Sequence, residues 1–143
     1  MHLQSGANIV PIFSGGGTRL SCYIGILQAL LDLGLRFNHL VGVSGGSIVA
    51  ALYAAGWQLE DIKSIAMRTD FKQFWSFSFS SLIRSGGLCN GNRLEAWLEQ
   101  QLKGATFADL KYDLHVLATD INGGGPVVFN RELTPDLKVS KAV

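Results

Sequence analysis

The chain is expected to fold as an α/β protein built around a parallel sheet. Three observations carry this expectation. Short apolar runs of strand length end on glycine or serine, the stretches that follow them place apolar residues at helical spacing, and only a few residues link one to the next. Strand, helix, strand and helix in that order call for right-handed crossovers, which set the strands side by side and parallel. With 143 residues, 48% of them hydrophobic and 16% charged, the chain is a single globular domain with a core of its own rather than a disordered segment.

The elements follow in order. Residues 9–13 (IVPIF) read as a buried strand, although Pro11 argues against a central position because it lacks an N–H for the ladder. Residues 20–33 form a helix with Leu20, Ile24, Leu27, Leu30 and Leu31 at helical spacing, and Gly34 ends it. Residues 40–43 are a second short strand. Residues 47–55 follow as a helix that is apolar nearly all round, closed by Gly56. Residues 59–68 and 93–102 are two amphipathic helices, and 114–119 and 127–129 are strands. Residues 40–57 carry no charge and are long enough to register as a membrane span, but the cluster of Gly42, Gly45 and Gly46 makes them a strand, a turn and a helix. No basic region with an apolar core opens the chain, so no signal peptide is read, and a cytoplasmic protein, peripheral to membranes at most, is expected. A net charge of +1 gives no electrostatic case for nucleic acid. Cys22 and Cys89 are isolated and match no zinc pattern; they are expected to be buried thiols, and no metal or cofactor is called for.

Two glycine-rich stretches carry the chemistry. Ser14-Gly15-Gly16-Gly17-Thr18-Arg19 lies between the first strand and the first helix, where bare backbone can bring N–H groups close to an anion. Gly42-Val43-Ser44-Gly45-Gly46 is a G-x-S-x-G that follows a strand and opens a helix, the setting of a nucleophile elbow. There a serine sits on a strained turn with its hydroxyl clear of the backbone. Gly42 and Gly46 remove side chains where strand and helix close on each other. Helix N–H groups point at any negative charge that develops. The competing reading of Ser44 is a plain N-cap serine in a tight turn. Acyl transfer by a serine passes through a tetrahedral oxyanion that needs backbone donors. Gly45, just after the nucleophile, can supply one, and Gly15, Gly16 and Gly17 on the neighbouring strand can supply the rest.

From Ile9 to its last residue the chain resembles the patatin-like phospholipase family, through the paired motifs just quoted and through TFADLKYDLHVLATDINGG and LTPDLKVSKAV. The resemblance implies a three-layer, mostly parallel sheet flanked by helices, and a lipid acyl hydrolase of the phospholipase A or esterase type. It also implies a Ser–Asp dyad, no metal and no cofactor. Carried over, Ser44 is the nucleophile and Gly15, Gly16 and Gly17 form the oxyanion loop. Leu20 stands where the family's loop usually has its last glycine, and no Asp here is followed by Gly, as the family's catalytic Asp is. Residues 1–143 are therefore expected to be one domain, incomplete at its C-terminal end, with its Asp beyond Val143. Such a chain would be inactive by itself and prone to self-association through apolar surface left uncovered. Asp120, near the end of a strand, is the best substitute base within it.

Other readings stay open at this stage. A Ser–His–Asp esterase would need His115 and an acid such as Asp109, although His115 lies in an apolar strand pattern that suits a packed, hydrogen-bonded histidine. His39 precedes the strand that feeds Ser44, and His2 lies near the terminus; both read as loop residues. A dinucleotide site would need a third glycine where Leu20 stands and an acid where the second strand runs into Ser44. A non-catalytic regulatory module would keep the same fold. Arg19 either supports the loop or meets an anion such as a lipid phosphate, or else lies in solvent on a helix face. Residues 71–81 gather Phe71, Phe74, Trp75, Phe77 and Phe79 near Lys72 and Arg84, as the rim of a lipid site that touches a membrane surface transiently or as filling for the core.

Overall fold

A computed structural model of the chain describes residues 9–17, 19–74 and 91–143. The chain runs β1 (Ile12–Ser14), α1 (Leu20–Asp32), β2 (His39–Val43), α2 (Gly45–Ala54), α3 (Leu59–Arg68), a 3₁₀ turn (Phe71–Phe74), α4 (Asn92–Leu102), β3 (Asp113–Asp120), β4 (Gly125–Phe129) and α5 (Val139–Ala142). The strands form one sheet in the order β1-β2-β3-β4. The first three are parallel and β4 closes the edge antiparallel to β3. The expected α/β architecture, a mostly parallel sheet flanked by helices, is the one observed.

Local chemistry sets the boundaries. β1 starts at Ile12 rather than residue 9 because Pro11 cannot donate; its carbonyl instead accepts from the Val41 amide at 2.9 Å. α1 stops where Gly34 takes a φ of +73° and the Leu35 amide returns to the Leu30 carbonyl at 3.1 Å. α2 begins at Gly45, two residues before the apolar pattern, and is buried along nearly its whole length, as its composition implies. β3 and β4 form a hairpin whose turn is held by the Asn122 amide donating to Asp120 Oδ1 at 2.9 Å.

One face of the sheet, with Phe13, Leu40, Leu114 and Val116, packs into a core with Ile24 and Leu27 of α1, Val49 and Leu52 of α2, Ile62 of α3 and Leu98 of α4. Helix α2 lies directly on the strands, and α1, α3 and α4 pack against it. On the other face Ile12, Leu117 and Val128 are exposed. The expectation of buried thiols fails at Cys22, which is exposed, because it lies off the Ile24–Leu27 stripe of α1; Cys89 falls outside the described residues. Among the described residues, no helix is long and apolar enough to cross a membrane.

Candidate active site

Residues 39–43 are a short, half-buried strand, and the chain must reverse at once to lay α2 over it. The reversal falls on Ser44, with φ +54° and ψ −135°. A residue other than glycine held there costs about 1–3 kcal/mol, which the surrounding packing must supply. The Ser44 side chain is exposed and makes no capping hydrogen bond. An N-cap serine would have extended backbone and a hydroxyl turned back to the helix; Ser44 has neither. The first turn of α2 is closed instead by Ser47, buried at 1% exposure. Its amide donates to the Ser44 carbonyl at 2.9 Å and its hydroxyl donates to the same oxygen.

The glycines on either side are dictated by close approach. A Cβ on Gly42 would lie 2.5 Å from Ser47 Cα, and one on Gly46 would run into the Phe13 carbonyl of β1. Gly45 packs against the other glycine stretch: a Cβ there would strike the Gly17 carbonyl and stand 3.1 Å from the Gly17 amide nitrogen. The loop at Gly15, Gly16 and Gly17 runs with φ of +80°, +87° and +52°, a path only glycine follows without strain. The two glycine stretches thus meet at the head of α2, where the helix N-terminus favours negative charge.

The structure corrects one member of the expected donor set. The Gly15 amide donates to the Val43 carbonyl at 3.1 Å, continuing the β1–β2 ladder, so it is spent on the sheet. The amides of Gly16, Gly17 and Gly45 take no part in that ladder bond. The Arg19 amide donates to the Gly16 carbonyl at 2.9 Å and closes the loop, while its side chain is exposed. Tyr23, which the sequence analysis did not single out, stands beneath the loop. Its hydroxyl donates to the Ser14 carbonyl at 2.6 Å, its ring packs on Phe13 with centroids 5.3 Å apart, and a Cβ on Gly16 would lie 2.8 Å from its ring edge. Its place on the core-facing side of α1, beside Ile24, was the available signal.

The groups required by a Ser–His–Asp arrangement lie elsewhere. His115 pairs with Val41, three positions before Ser44 in the register, or about 10 Å along the strand. Asp109 caps its own turn, accepting from the Thr106 amide at 2.9 Å and its hydroxyl at 2.7 Å. Those two bonds, the amide first, hold its carboxyl below the usual range. His39, Asp113 and His115 do gather at the far end of β2 and β3, with one ligand atom of each within 4.8 Å of the others. However, the Leu133 amide donates to Asn130 Oδ1 at 2.7 Å, which turns Asn130 Nδ2 toward His115 Nδ1 at 3.2 Å. An amide nitrogen can only donate, so Nδ1 of His115 is engaged by Asn130 and ties the imidazole to the β4 end. Asp120 stands at the Ser44 edge of the sheet, but its carboxylate is folded onto its own turn through Asn122. Of the aromatic stretch, Phe71 packs edge-on against Trp97 of α4 with centroids 5.7 Å apart, and Phe74 packs on the same ring at a tilt, 5.6 Å away; residues 75–81 lie outside the described residues.

Residues 12–143 match the family model described as Patatin-like phospholipase. The chain is 30% identical to the uncharacterized protein YqhO of Bacillus subtilis over 152 residues, covering 92% of this chain and 52% of that one. It is 41% identical over 61 residues to the lysophospholipase NTE1 of Candida glabrata, covering 43% of this chain and 4% of that one. Among solved structures it superposes on ExoU of Pseudomonas aeruginosa, solved in complex with SpcU, with a TM-score of 0.68 at 22% identity, over 94% of this chain and 37% of that one. The chain spans about half the length of YqhO and of the uncharacterized protein R571 of Acanthamoeba polyphaga mimivirus, both of which match it along most of its sequence.

Proposed function

This chain belongs to the patatin-like phospholipase family, and on that premise we propose that the protein it represents is a lipid acyl hydrolase with Ser44 as its nucleophile. The observation that carries the reading is the backbone of Ser44: a strained φ of +54° between β2 and α2, with no capping bond to account for it. Ser44 Oγ attacks the carbonyl carbon of an acyl ester and gives up its proton to a general base. The resulting oxyanion is held by the amides of Gly16, Gly17 and Gly45. The ester C–O bond then breaks, the alcohol leaves with a proton, and water releases the fatty acid from the acyl-serine. Arg19, exposed beside the loop, meets the phosphate of a phospholipid substrate at a membrane surface.

We assign the base to an Asp outside residues 1–143, which makes this chain the nucleophile-bearing part of one larger patatin-like domain. Asp109, Asp113 and Asp120 are each engaged elsewhere, with Thr106, His39 and Asn122 respectively. The test is labelling of the full-length protein with a fluorophosphonate and hydrolysis of p-nitrophenyl esters, each compared with Ser44→Ala. The variant should take no label and lose several orders of magnitude in kcat. Equal rates for the two proteins would overturn the assignment.

A further inference from the structure

We propose that the groove between α1 and α3 seats the fatty acyl tail of the substrate, and that Gly25 sets the length of tail it accepts. This rests on the reading of Ser44 as an acyl-ester nucleophile. The cavity has a volume of about 470 Å³, within the range of small-molecule sites. Its walls are Ser21, Ile24 and Gly25 on α1, and Ala66, Met67 and Phe71 across from them. Lys63 and Gln28 add the only strongly polar groups, and the Gln28 amide is already turned to Asp32 at 2.8 Å. A long hydrocarbon tail, with no polar atom to satisfy, matches such walls.

The position of the groove ties it to the site. Ser21, in the first turn of α1, follows Gly17 of the loop that packs on Gly45 by four residues, and Gln28 lies about 10 Å further along α1. The Ser21 end of the groove is therefore the end nearer the glycine loop along the chain. Met67 is 79% exposed, a cost that an apolar occupant would remove.

Gly25 lies in the interior of α1, where glycine costs about 1 kcal/mol relative to alanine. Among the described residues, none requires it: a Cβ there would meet nothing of them within 4 Å. What a side chain would enter is the groove. The missing side chain leaves room for an occupant rather than for another part of the protein.

The experiment compares full-length protein with Gly25→Ala and Gly25→Leu, using p-nitrophenyl butyrate and p-nitrophenyl palmitate, with cis-parinaric acid as a binding probe. Both substitutions favour helix, and the Cβ they add meets no atom of the described residues within 4 Å, so melting temperatures should not fall. The palmitate-to-butyrate ratio of kcat/KM should drop at least tenfold in Gly25→Leu and by less in Gly25→Ala, with parinaric acid binding weakened in the same order. A ratio and a probe affinity that both stay within twofold of the parent in Gly25→Leu would overturn the proposal. Graded loss of probe binding in a protein that cleaves neither ester would uphold the groove and remove the hydrolase reading instead.

Discussion

Gly45 and Gly17 meet backbone to backbone, so closely that a Cβ on Gly45 would strike the Gly17 carbonyl. This contact makes one site of two stretches far apart in sequence, because it fixes the loop amides relative to the head of α2. Gly45→Ala should therefore push the loop away from the elbow. We expect kcat for a short ester to fall by about 10²-fold or more, the scale of losing an oxyanion donor, with KM little changed. Thermal melts would show whether the fold survives, and near-parental turnover in a folded variant would separate the loop from the chemistry.

The strain at Ser44 has its own signature. At φ +54° a glycine is relaxed and an alanine is not. Ser44→Gly and Ser44→Ala should be equally inactive, yet Ser44→Gly should be the more stable of the two by about 1–2 kcal/mol in urea unfolding. Equal stabilities would mean that the elbow carries no strain.

The periodic features of the sequence transferred to the structure more fully than the non-periodic ones. Ile24 and Leu27 repeat at helical spacing, so α1 and its buried face were readable, and the same period would have turned Cys22 outward had it been given more weight than the usual burial of cysteine. The start of α2 was misplaced because Gly45 and Gly46 are poor helix formers that tertiary packing nevertheless draws into the helix. The sharp turn at Ser44 was legible because a G-x-S-x-G between a strand and a helix marks an abrupt reversal, and its φ of +54° is that reversal. Gly15 was not separable from Gly16 and Gly17, since nothing in a run of glycines says which amide the sheet will take; the bond to Val43 decides it. β3 and β4 were each visible as strands, but their hairpin depends on the Asp120–Asn122 turn, a contact between polar residues with no periodic signal.

Tyr23 is a positioning residue whose removal should be felt at the loop. Its hydroxyl reaches the Ser14 carbonyl at 2.6 Å and its ring backs Gly16. Tyr23→Phe keeps the ring and removes the bond, so stability should fall by about 1 kcal/mol. The loss in kcat should be several-fold, with a smaller change in KM. A purely structural role would lower stability without altering kcat in the folded fraction.

Glu99 on α4 ties the end of the chain to the body. It accepts from Lys138 Nζ and, at 2.6 Å, from the Ser140 hydroxyl. The bond from Lys138, then that from Ser140, hold its carboxyl below the usual glutamate range. The folded state thus favours the carboxylate, and the stability this confers is present at neutral pH and lost as the pH falls through the acid range. Glu99→Gln should be less stable than the parent at about pH 7, and the two should converge at about pH 3. A difference between them that does not change with pH would show that the ionised form has no special part.

Asp120 is the carboxylate of this chain best placed by topology to act as base, since β3 runs parallel to β2 and ends at the same edge as Ser44. Its geometry argues against that role. One carboxylate oxygen, Oδ1, accepts from the Asn122 amide at 2.9 Å, and the other, Oδ2, is folded against Gly124. An asparagine preserves that turn bond, so Asp120→Asn in the full-length protein should keep ester turnover within about threefold, whereas loss of a true base costs about 10²-fold or more. Residues 1–143 alone should, by the same reasoning, hold Ser44 correctly and turn over esters far more slowly than the full-length protein. A large loss in Asp120→Asn, together with full turnover by residues 1–143, would place the base at Asp120 and require the turn to open before each attack.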